Sequence, residues 1–187
     1  MTKSRAVFLD RDGTINEEKC YLFKKEDFRI LPGVFTALSK LLACGFRLFI
    51  ATNQSGVARG YYTETDLQIL HSYLEAVMLE QNIIFTEILY CPHHPQAEQQ
   101  RYRINCSCRK PAPGMLVNAC AKYNIDHAGS WMIGDKIDDV LAGNNAGLNS
   151  ILVATGYGRE HHEKYGRQTP YIFCRDLEAA ASYIIEH

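Results

Sequence analysis

Two aspartates close an apolar segment near the start of the chain. Residues 6–9 are all apolar and lead directly into Asp10, and Asp12 follows two positions later. If the segment is a strand, the two side chains point the same way, and in open α/β sheets the ligand site lies beyond the carboxyl ends of the strands. Two neighbouring acids are costly unless a cation or substrate neutralises them, and Mg²⁺ prefers such oxygen ligands. The alternative is a solvated turn around Gly13, because Asp-Gly turns are common.

Polar side chains also follow three later segments. Residues 49–56 end an apolar run with side chains that can donate hydrogen bonds to phosphate oxygens, namely Thr52, Asn53 and Ser55. Residues 132–139 end another run in acids, and Lys110 supplies a cation on a loop restrained by Pro111. Each of these has a structural alternative as a cap, a turn or a solvated charge. Their shared position, between a strand and a helix, predicts one crevice that holds a metal, a phosphate and a nucleophile.

A polar segment at residues 91–111 carries a second group of candidate ligands. It contains Cys91, His93, His94, Cys106 and Cys108. Three cysteines and one histidine make a tetrahedral Zn²⁺ site without an open position, which is a structural site. About twenty residues without secondary structure are uncommon in a compact domain unless something holds them together, and Zn²⁺ would also fix Arg109 and Lys110. The alternative is free thiols with surface histidines.

The other four cysteines have no comparable partners in the sequence. Cys44, Cys120 and Cys174 lie in or beside predicted helices and strands, and we expect them to be buried as small apolar residues. Cys20 lies in the irregular segment after the first acidic motif, from which it could approach the crevice. No chemistry is assigned to it.

Strand-length apolar runs alternate with helix-length amphipathic stretches along most of the chain. The predicted strands are residues 6–9, 47–52, 87–90, 130–133, 150–153 and 171–173, and the predicted helices are residues 32–44, 64–81, 113–123, 137–146 and 177–186. This alternation predicts an α/β fold with a doubly wound parallel sheet. Thr63 with Asp66 is typical of a helix N-terminus. An apolar stripe on that helix predicts core residues at Leu67, Leu70, Leu74, Val77 and Met78.

Length and composition exclude several classes of protein. The chain has 187 residues, of which 47% are hydrophobic and 22% charged, with a formal net charge of -1. We expect one domain over residues 1–187 with a sizeable core, and near-neutral charge argues against a nucleic-acid partner. The apolar runs are too short to span a membrane, the first residues do not form a signal peptide, and an odd count of 7 cysteines argues against a disulfide framework. A soluble, cytoplasmic and monomeric protein is expected.

Four segments, taken in order, resemble the motifs of a known family. They are Asp10-Arg-Asp12-Gly-Thr14, Thr52-Asn53, Lys110 and Gly134-Asp135-Lys136-Ile-Asp138-Asp139. This set resembles the haloacid dehalogenase superfamily of phosphohydrolases, and the resemblance covers essentially the whole chain. It implies a Rossmann-like fold, here without a separate cap domain because the chain has no room for one.

The resemblance implies a role for each motif residue. Asp10 would be the nucleophile that forms an aspartyl-phosphate, and Asp12 would be the general acid and then the general base. Mg²⁺ would be held by the carboxylates of Asp10 and Asp135 and by the backbone carbonyl of Asp12. Thr52 and Lys110 would hold the transferring phosphoryl oxygens.

The zinc segment narrows the resemblance to a subgroup whose members act on a heptose bisphosphate or on histidinol phosphate. It implies His93 rather than His94 as the fourth Zn²⁺ ligand, and a zinc-stapled loop at about residues 91–109. Residues 52–60, 91–96 and 108–115 are more similar to the heptose enzymes, and Arg109 suits a substrate with a second phosphate. The implied function is a Mg²⁺-dependent phosphatase that removes the 7-phosphate of a heptose 1,7-bisphosphate, for ADP- or GDP-heptose and lipopolysaccharide precursors.

The same resemblance implies a set of substrate-contacting residues. They are Glu18, Lys19, Cys20, Tyr21, Thr52, Asn53, Gln54, Ser55, Arg109, Lys110 and Lys136. The Lys19-Cys20 pair differs from the usual His-Gly or similar pair at this place, and Asp139 would orient the site without binding the metal. Two alternatives stay open: the same chemistry on histidinol phosphate, and a zinc-stapled binding module whose pocket no longer reacts. The intact acidic motifs argue against the binding module.

Overall fold

The computed structural model describes residues 3–166 and 169–187, and its centre is a parallel sheet. The strands are β1 (Ala6–Leu9), β2 (Arg47–Asn53), β3 (Glu87–Cys91), β4 (Trp131–Gly134), β5 (Asn149–Val153) and β6 (Ile172–Cys174). They lie in the order β3-β2-β1-β4-β5-β6, and every neighbouring pair is parallel. The predicted doubly wound parallel sheet is confirmed, and each of its 6 strands was expected from the sequence.

Helices cover both faces of this sheet. They are α1 (Val34–Ala43), α2 (Ser55–Ala58), α3 (Glu64–Leu79), α4 (Gly114–Tyr123), α5 (Ile137–Asn145), α6 (Gly158–Tyr165) and α7 (Leu177–Glu186). The five predicted helices are present. The sequence did not predict α2, which is a single turn, or α6, in which only Gly158 is buried and no apolar stripe marks the helix.

The side chains of β1 alternate between two apolar layers. Val7 and Leu9 pack with the buried faces of α1, α3 and α7, while Ala6 and Phe8 pack with those of α4 and α5. The rings of Phe8 and Phe49 stack with their centroids 4.7 Å apart in the second layer. Because helices cover it on both faces, β1 is apolar throughout and fully buried, as expected for a central parallel strand.

Helix α3 begins and packs as its sequence predicts. The Thr63 side chain accepts a hydrogen bond from Asp66 N (3.1 Å), and Thr63 N donates to the Asp66 carboxylate (2.8 Å), which together form a capping box. Four residues of the predicted stripe are fully buried, namely Leu67, Leu70, Leu74 and Met78. Val77 is only partly buried.

The strand order reverses at β1, which has β2 on one side and β4 on the other. Ligands of open α/β sheets bind at such a switch point, beyond the carboxyl ends of the strands. The two irregular stretches, residues 15–30 and 92–111, contain the 3-10 turns Lys25–Asp27 and Gln100–Tyr102 and form loops rather than a cap domain. Among the described residues, no helix is long and apolar enough to cross a membrane.

Candidate active site

Asp10 is positioned directly by the central strand. Its backbone N–H donates to Ile133 O (2.8 Å), which continues the pairing of β1 with β4 by one residue beyond the strand. The chain then turns at Gly13, whose φ of 84° is in the left-handed region. A Cβ at Gly13 would collide with the Asp135 carboxylate, so only glycine fits this turn. The turn therefore brings the ends of β1 and β4 together.

The carboxylate of Asp12 is held by hydrogen bonds from three side chains. It accepts hydrogen bonds from Arg11 Nη2 (2.8 Å), Asn16 Nδ2 (2.9 Å) and Gln54 Nε2 (3.0 Å). Burial alone would raise the pKa of Asp12, but the Arg11 guanidinium and the two amide donors hold it below its ordinary value. The carboxylate faces the crevice and lies outside the cluster of acids formed by other motif residues.

The acidic cluster consists of Asp10, Asp135 and Asp139. One carboxylate oxygen from each lies within 4.8 Å of the others. Asp135 is fully buried: its Oδ2 accepts a hydrogen bond from Tyr157 N (2.9 Å), whereas its Oδ1 has no hydrogen-bond partner among the described residues. Burial raises the pKa of Asp135 to about 8. A buried carboxylate oxygen without a partner, beside two further acids, fits a hard divalent cation such as Mg²⁺.

Lys110 lies between two of these acids. Its Nζ is 2.9 Å from Asp10 Oδ1 and 2.6 Å from Asp139 Oδ1, and its side chain is only 2% exposed. Burial opposes the charged form, but the two carboxylates raise the pKa of Lys110 above its ordinary value. Asn53 holds the Lys110 backbone through two hydrogen bonds, one given to Lys110 O (3.0 Å) and one accepted from Lys110 N (3.1 Å). The end of β2 thereby fixes the cation.

The side chains of the four predicted zinc ligands also lie close together. The sulfurs of Cys91, Cys106 and Cys108 lie 2.9 to 3.4 Å apart, and His93 Nδ1 is 3.4 Å from Cys108 Sγ. All four ligand atoms lie within 4.8 Å of one another. His94 lies outside the cluster, and its Nδ1 accepts a hydrogen bond from Gln96 N (3.1 Å). Three sulfurs and one imidazole nitrogen are the donor set of a structural Zn²⁺ site.

The crevice has a volume of about 290 Å³ and opens at the end of β1. Ten of the eleven predicted substrate-contacting residues line it, namely Glu18, Cys20, Tyr21, Thr52, Asn53, Gln54, Ser55, Arg109, Lys110 and Lys136. Lys19 does not line the crevice, and its Nζ lies 3.8 Å from Glu17 Oε2. The prediction omitted three lining residues: Tyr62, Asp138 and Tyr157. Of these, Tyr157 follows β5, so the rule that polar side chains follow strands could have found it.

The loop after β1 reaches across the crevice mouth. Glu18 Oε2 accepts from Lys136 Nζ at 2.8 Å, and Cys20 Sγ lies 3.6 Å from Tyr157 Oη. Cys20 therefore does approach the crevice. The expectation that Cys44 is buried is wrong: it lies at the C-cap of α1, where the buried face of the helix ends, and it is exposed.

Comparison with known proteins decides the family. Residues 107–180 match the HAD-hydrolase-like family. The chain is 42% identical over 152 residues to D-glycero-beta-D-manno-heptose-1,7-bisphosphate 7-phosphatase of Escherichia coli K12. The aligned residues cover 81% of this chain and 80% of that protein. The chain belongs to this phosphatase family of the haloacid dehalogenase superfamily. It is therefore a phosphoric monoester hydrolase by family, as the four motifs predicted.

Other members of the phosphatase family agree in sequence and in structure. The protein of the same name from Haemophilus ducreyi is 44% identical over 154 residues, covering 81% of this chain and 84% of that one. The crystal structure of D,D-heptose 1,7-bisphosphate phosphatase from B. bronchiseptica, in complex with magnesium and phosphate, superimposes with a TM-score of 0.87 at 32% identity, over 97% of this chain and 98% of that chain. Phosphatases of this superfamily depend on Mg²⁺, and the acidic cluster has the donors for it.

Proposed function

We propose that this protein removes the 7-phosphate of D-glycero-β-D-manno-heptose 1,7-bisphosphate and releases heptose 1-phosphate and inorganic phosphate. The observation that carries the proposal is the crevice, in which Asp10, Asp12 and Lys110 face one space at the end of β1. The names of the relatives supply the substrate, because the E. coli and H. ducreyi proteins are named for this sugar bisphosphate. The product would enter the synthesis of nucleotide-linked heptose for lipopolysaccharide.

In the first step an Asp10 carboxylate oxygen attacks the phosphorus, and the bond from phosphorus to the sugar oxygen breaks. Asp12 gives the proton that the leaving alkoxide needs, and Asp10 becomes an aspartyl-phosphate. Lys110, already 2.9 Å from Asp10 Oδ1, holds the charge of the phosphoryl oxygens. Thr52 Oγ1 accepts a hydrogen bond from Gln54 Nε2 (2.9 Å), which leaves the hydroxyl proton free for another phosphoryl oxygen.

In the second step a water attacks the phosphorus of the aspartyl-phosphate. Asp12, now ionised, takes the proton of this water, so phosphate leaves and the carboxylate of Asp10 is restored. The Arg11 and Gln54 donors that hold the pKa of Asp12 low favour its ionised form, which this step requires. The first step needs the protonated form, so Asp12 must take up its proton against this preference before the alkoxide leaves. One carboxyl group thus serves as the acid and then as the base.

A divalent cation is required because the attacking carboxylate and the phosphate are both negative. Bound Mg²⁺ would neutralise this charge and so allow the attack. Asp10 and Asp135 would hold the ion through their carboxylates and Asp12 through its backbone carbonyl. Asp139 stays with Lys110, 2.6 Å away, and orients that cation instead.

We assign Zn²⁺ to Cys91, His93, Cys106 and Cys108 as a structural ion. Arg109 follows Cys108 directly, and its Nη1 donates to His93 O (3.2 Å), so the metal-holding loop also fixes this guanidinium at the rim of the crevice. Arg109 is the candidate for binding the 1-phosphate, because its charge is free of a carboxylate partner among the described residues. A second anion would be recognised there.

The decisive experiment measures phosphate release in Mg²⁺ from the β and α anomers of the heptose bisphosphate and from histidinol phosphate. We expect kcat/KM to be at least tenfold higher for the β anomer, with heptose 1-phosphate as the product and no turnover by Asp10→Asn. A preference for histidinol phosphate would overturn the substrate. Binding of the bisphosphate without turnover by the wild-type protein would identify a non-catalytic binding module instead.

A further inference from the structure

Arg11 is a fully buried cation that the reaction steps above do not use directly. It lies between the two acids of the first motif and is 0% exposed. Its Nε and Nη2 donate to the Asp12 carboxylate at distances of 2.8 to 3.2 Å, and Nη2 also donates to Leu22 O (3.1 Å). The remaining nitrogen, Nη1, lies 3.2 Å from His71 Nε2. Among the described residues, His71 is the hydrogen-bond partner of Nη1.

His71 must accept this hydrogen bond as a neutral ring. A guanidinium has only donors, so Nε2 of His71 carries no proton and the ring proton is on Nδ1. His71 lies on the buried face of α3 and is 7% exposed. Burial and the positive charge of Arg11 lower the pKa of His71 to about 3, which keeps the ring neutral. The ring also lies edge-on to Tyr90, with 5.9 Å between centroids, so its orientation is fixed.

We propose that His71 is a positioning residue for the proton transfers of Asp12, acting through Arg11. Nε and Nη2 of the guanidinium are bound to Asp12, Nη2 also contacts the Leu22 carbonyl, and His71 binds Nη1, so every nitrogen of the group has an acceptor. The inference rests on the proposed role of Asp12 as the general acid and base. It adds a residue on α3, 60 positions away in the chain, that no catalytic motif contains.

Loss of the His71 acceptor would remove the contact at one end of the guanidinium. Nη1 would be left inside the protein without a partner, which is costly, so the guanidinium would turn toward another acceptor. The Asp12 carboxylate is bound by the other two nitrogens of Arg11 as well as by Asn16 and Gln54, so a turn of the guanidinium would shift the carboxylate relative to the crevice. Misplacing a proton donor by about 1 Å costs on the order of 10²-fold in rate, so even a small rotation is measurable.

The choice of leaving group separates a positioning role from a purely structural one. A sugar alkoxide needs a proton from Asp12 as it leaves, whereas 4-nitrophenolate is stable without one. A variant that merely weakens folding lowers the rates of both substrates equally. A variant that misplaces Asp12 slows the alkyl phosphate selectively.

The experiment compares kcat for glycerol phosphate and for 4-nitrophenyl phosphate at saturating Mg²⁺ in three variants. His71→Met offers only a weakly accepting thioether sulfur, His71→Asn is polar but too short to reach Arg11, and His71→Gln places an amide oxygen near the position of Nε2. The measured ratio is kcat for glycerol phosphate divided by kcat for 4-nitrophenyl phosphate. We expect His71→Met and His71→Asn to lower this ratio by about tenfold, and His71→Gln to keep it within about threefold of the wild-type value. In an Asp12→Asn background the ratio should no longer respond to position 71.

Equal losses on both substrates, an unchanged ratio, or failure of Gln to restore it would each overturn the inference. Circular dichroism and thermal melting show whether each variant folds, and the Asn variant keeps the test available if Met does not fold. The test does not need the heptose substrate. Failure of the wild-type protein on heptose bisphosphate would therefore overturn the proposed function alone and leave the role of His71 to be decided by the ratio.

Discussion

The ammonium of Lys110 lies 2.9 Å from the carboxylate of Asp10, and the two side chains are only 2% and 7% exposed. The group that would attack phosphorus is therefore held by the same cation that would hold the phosphoryl oxygens. A buried cation between acids prevents their mutual repulsion before substrate arrives, and it supplies positive charge during transfer.

Replacing Lys110 by Met should damage both functions. Losing one partner of a buried ion pair costs about 3–5 kcal/mol, so the melting temperature should fall, and loss of the transition-state contact should lower kcat by about 10²–10³-fold. Lys122→Met is the control, because its ammonium lies on the surface 3.1 Å from Glu87. Activity of the folded Lys110→Met protein within about threefold of wild type would contradict the assigned role.

Replacing Asp135 by Asn should stabilise the protein in buffer without Mg²⁺. The pKa of Asp135 is raised to about 8 by burial, above its ordinary value of 3.8, so the stability that the protonated form gives is lost as pH rises from 4 through 8. The advantage of the variant should therefore grow between pH 5 and pH 8. Melting curves with and without Mg²⁺ test this, and Mg²⁺ should stabilise wild type but not the variant. A destabilised variant at pH 8 would argue against this site.

The fold and the acidic motifs were predictable because they depend on local sequence. Apolar strands of three to seven residues ending in polar side chains indicate a covered parallel sheet, and parallel strands place those ends at one edge. The three cysteines were predictable as candidate Zn²⁺ ligands because they lie in one polar segment that also carries two histidines. The choice of His93 over His94 came from the resemblance to the family. The exposure of Cys44 was not predicted, because an amphipathic pattern does not show where the buried face of a helix stops.

Contacts between distant segments could not be read from the sequence. The hydrogen bond of Arg11 with His71 joins residues 60 positions apart, and a histidine on the apolar side of a helix is most simply a core residue. Tyr62 likewise donates to Gln54 Oε1 (2.6 Å) and so orients a side chain that contacts Asp12. These partners emerge only when the sheet and α3 are assembled.

Removing one zinc ligand should loosen the loop and weaken substrate binding. Cys108→Ser should reduce the zinc content from one ion per chain to near zero and expose the loop to trypsin at Arg101 and Arg103. Because Arg109 follows Cys108, KM for the bisphosphate should also rise. Zinc analysis and limited proteolysis measure this, with the exposed Cys44→Ser as the control. A protein purified without chelator that holds no zinc would rule out the assigned ion.

Arg109→Ala should distinguish substrates with one and two phosphates. Loss of a charged hydrogen bond costs about 1.5–3 kcal/mol, so KM for the 1,7-bisphosphate should rise about 10–100-fold, with little change for heptose 7-phosphate. Arg101→Ala is the matched control, because Arg101 lies in the same segment but outside the crevice. Equal effects on the two substrates would mean that Arg109 does not bind the 1-phosphate.

His71 should make the protein acid-sensitive. Its folded pKa is about 3, lowered by burial and by Arg11, whereas the unfolded residue has its ordinary value of 6.5. Its contribution is therefore fully present above pH 6.5 and is lost as pH falls, because the unfolded chain gains a proton that the folded one does not. At pH 5 this loss is about 2 kcal/mol, or roughly 4–8 °C in melting temperature.

His71→Gln keeps the hydrogen bond to Arg11 but cannot titrate, so its melting temperature should fall less between pH 7.5 and pH 5, with both proteins measured in Mg²⁺. An equal fall in melting temperature in the two proteins would mean that His71 is already protonated in the folded state. The neutral ring that Arg11 requires would then be excluded.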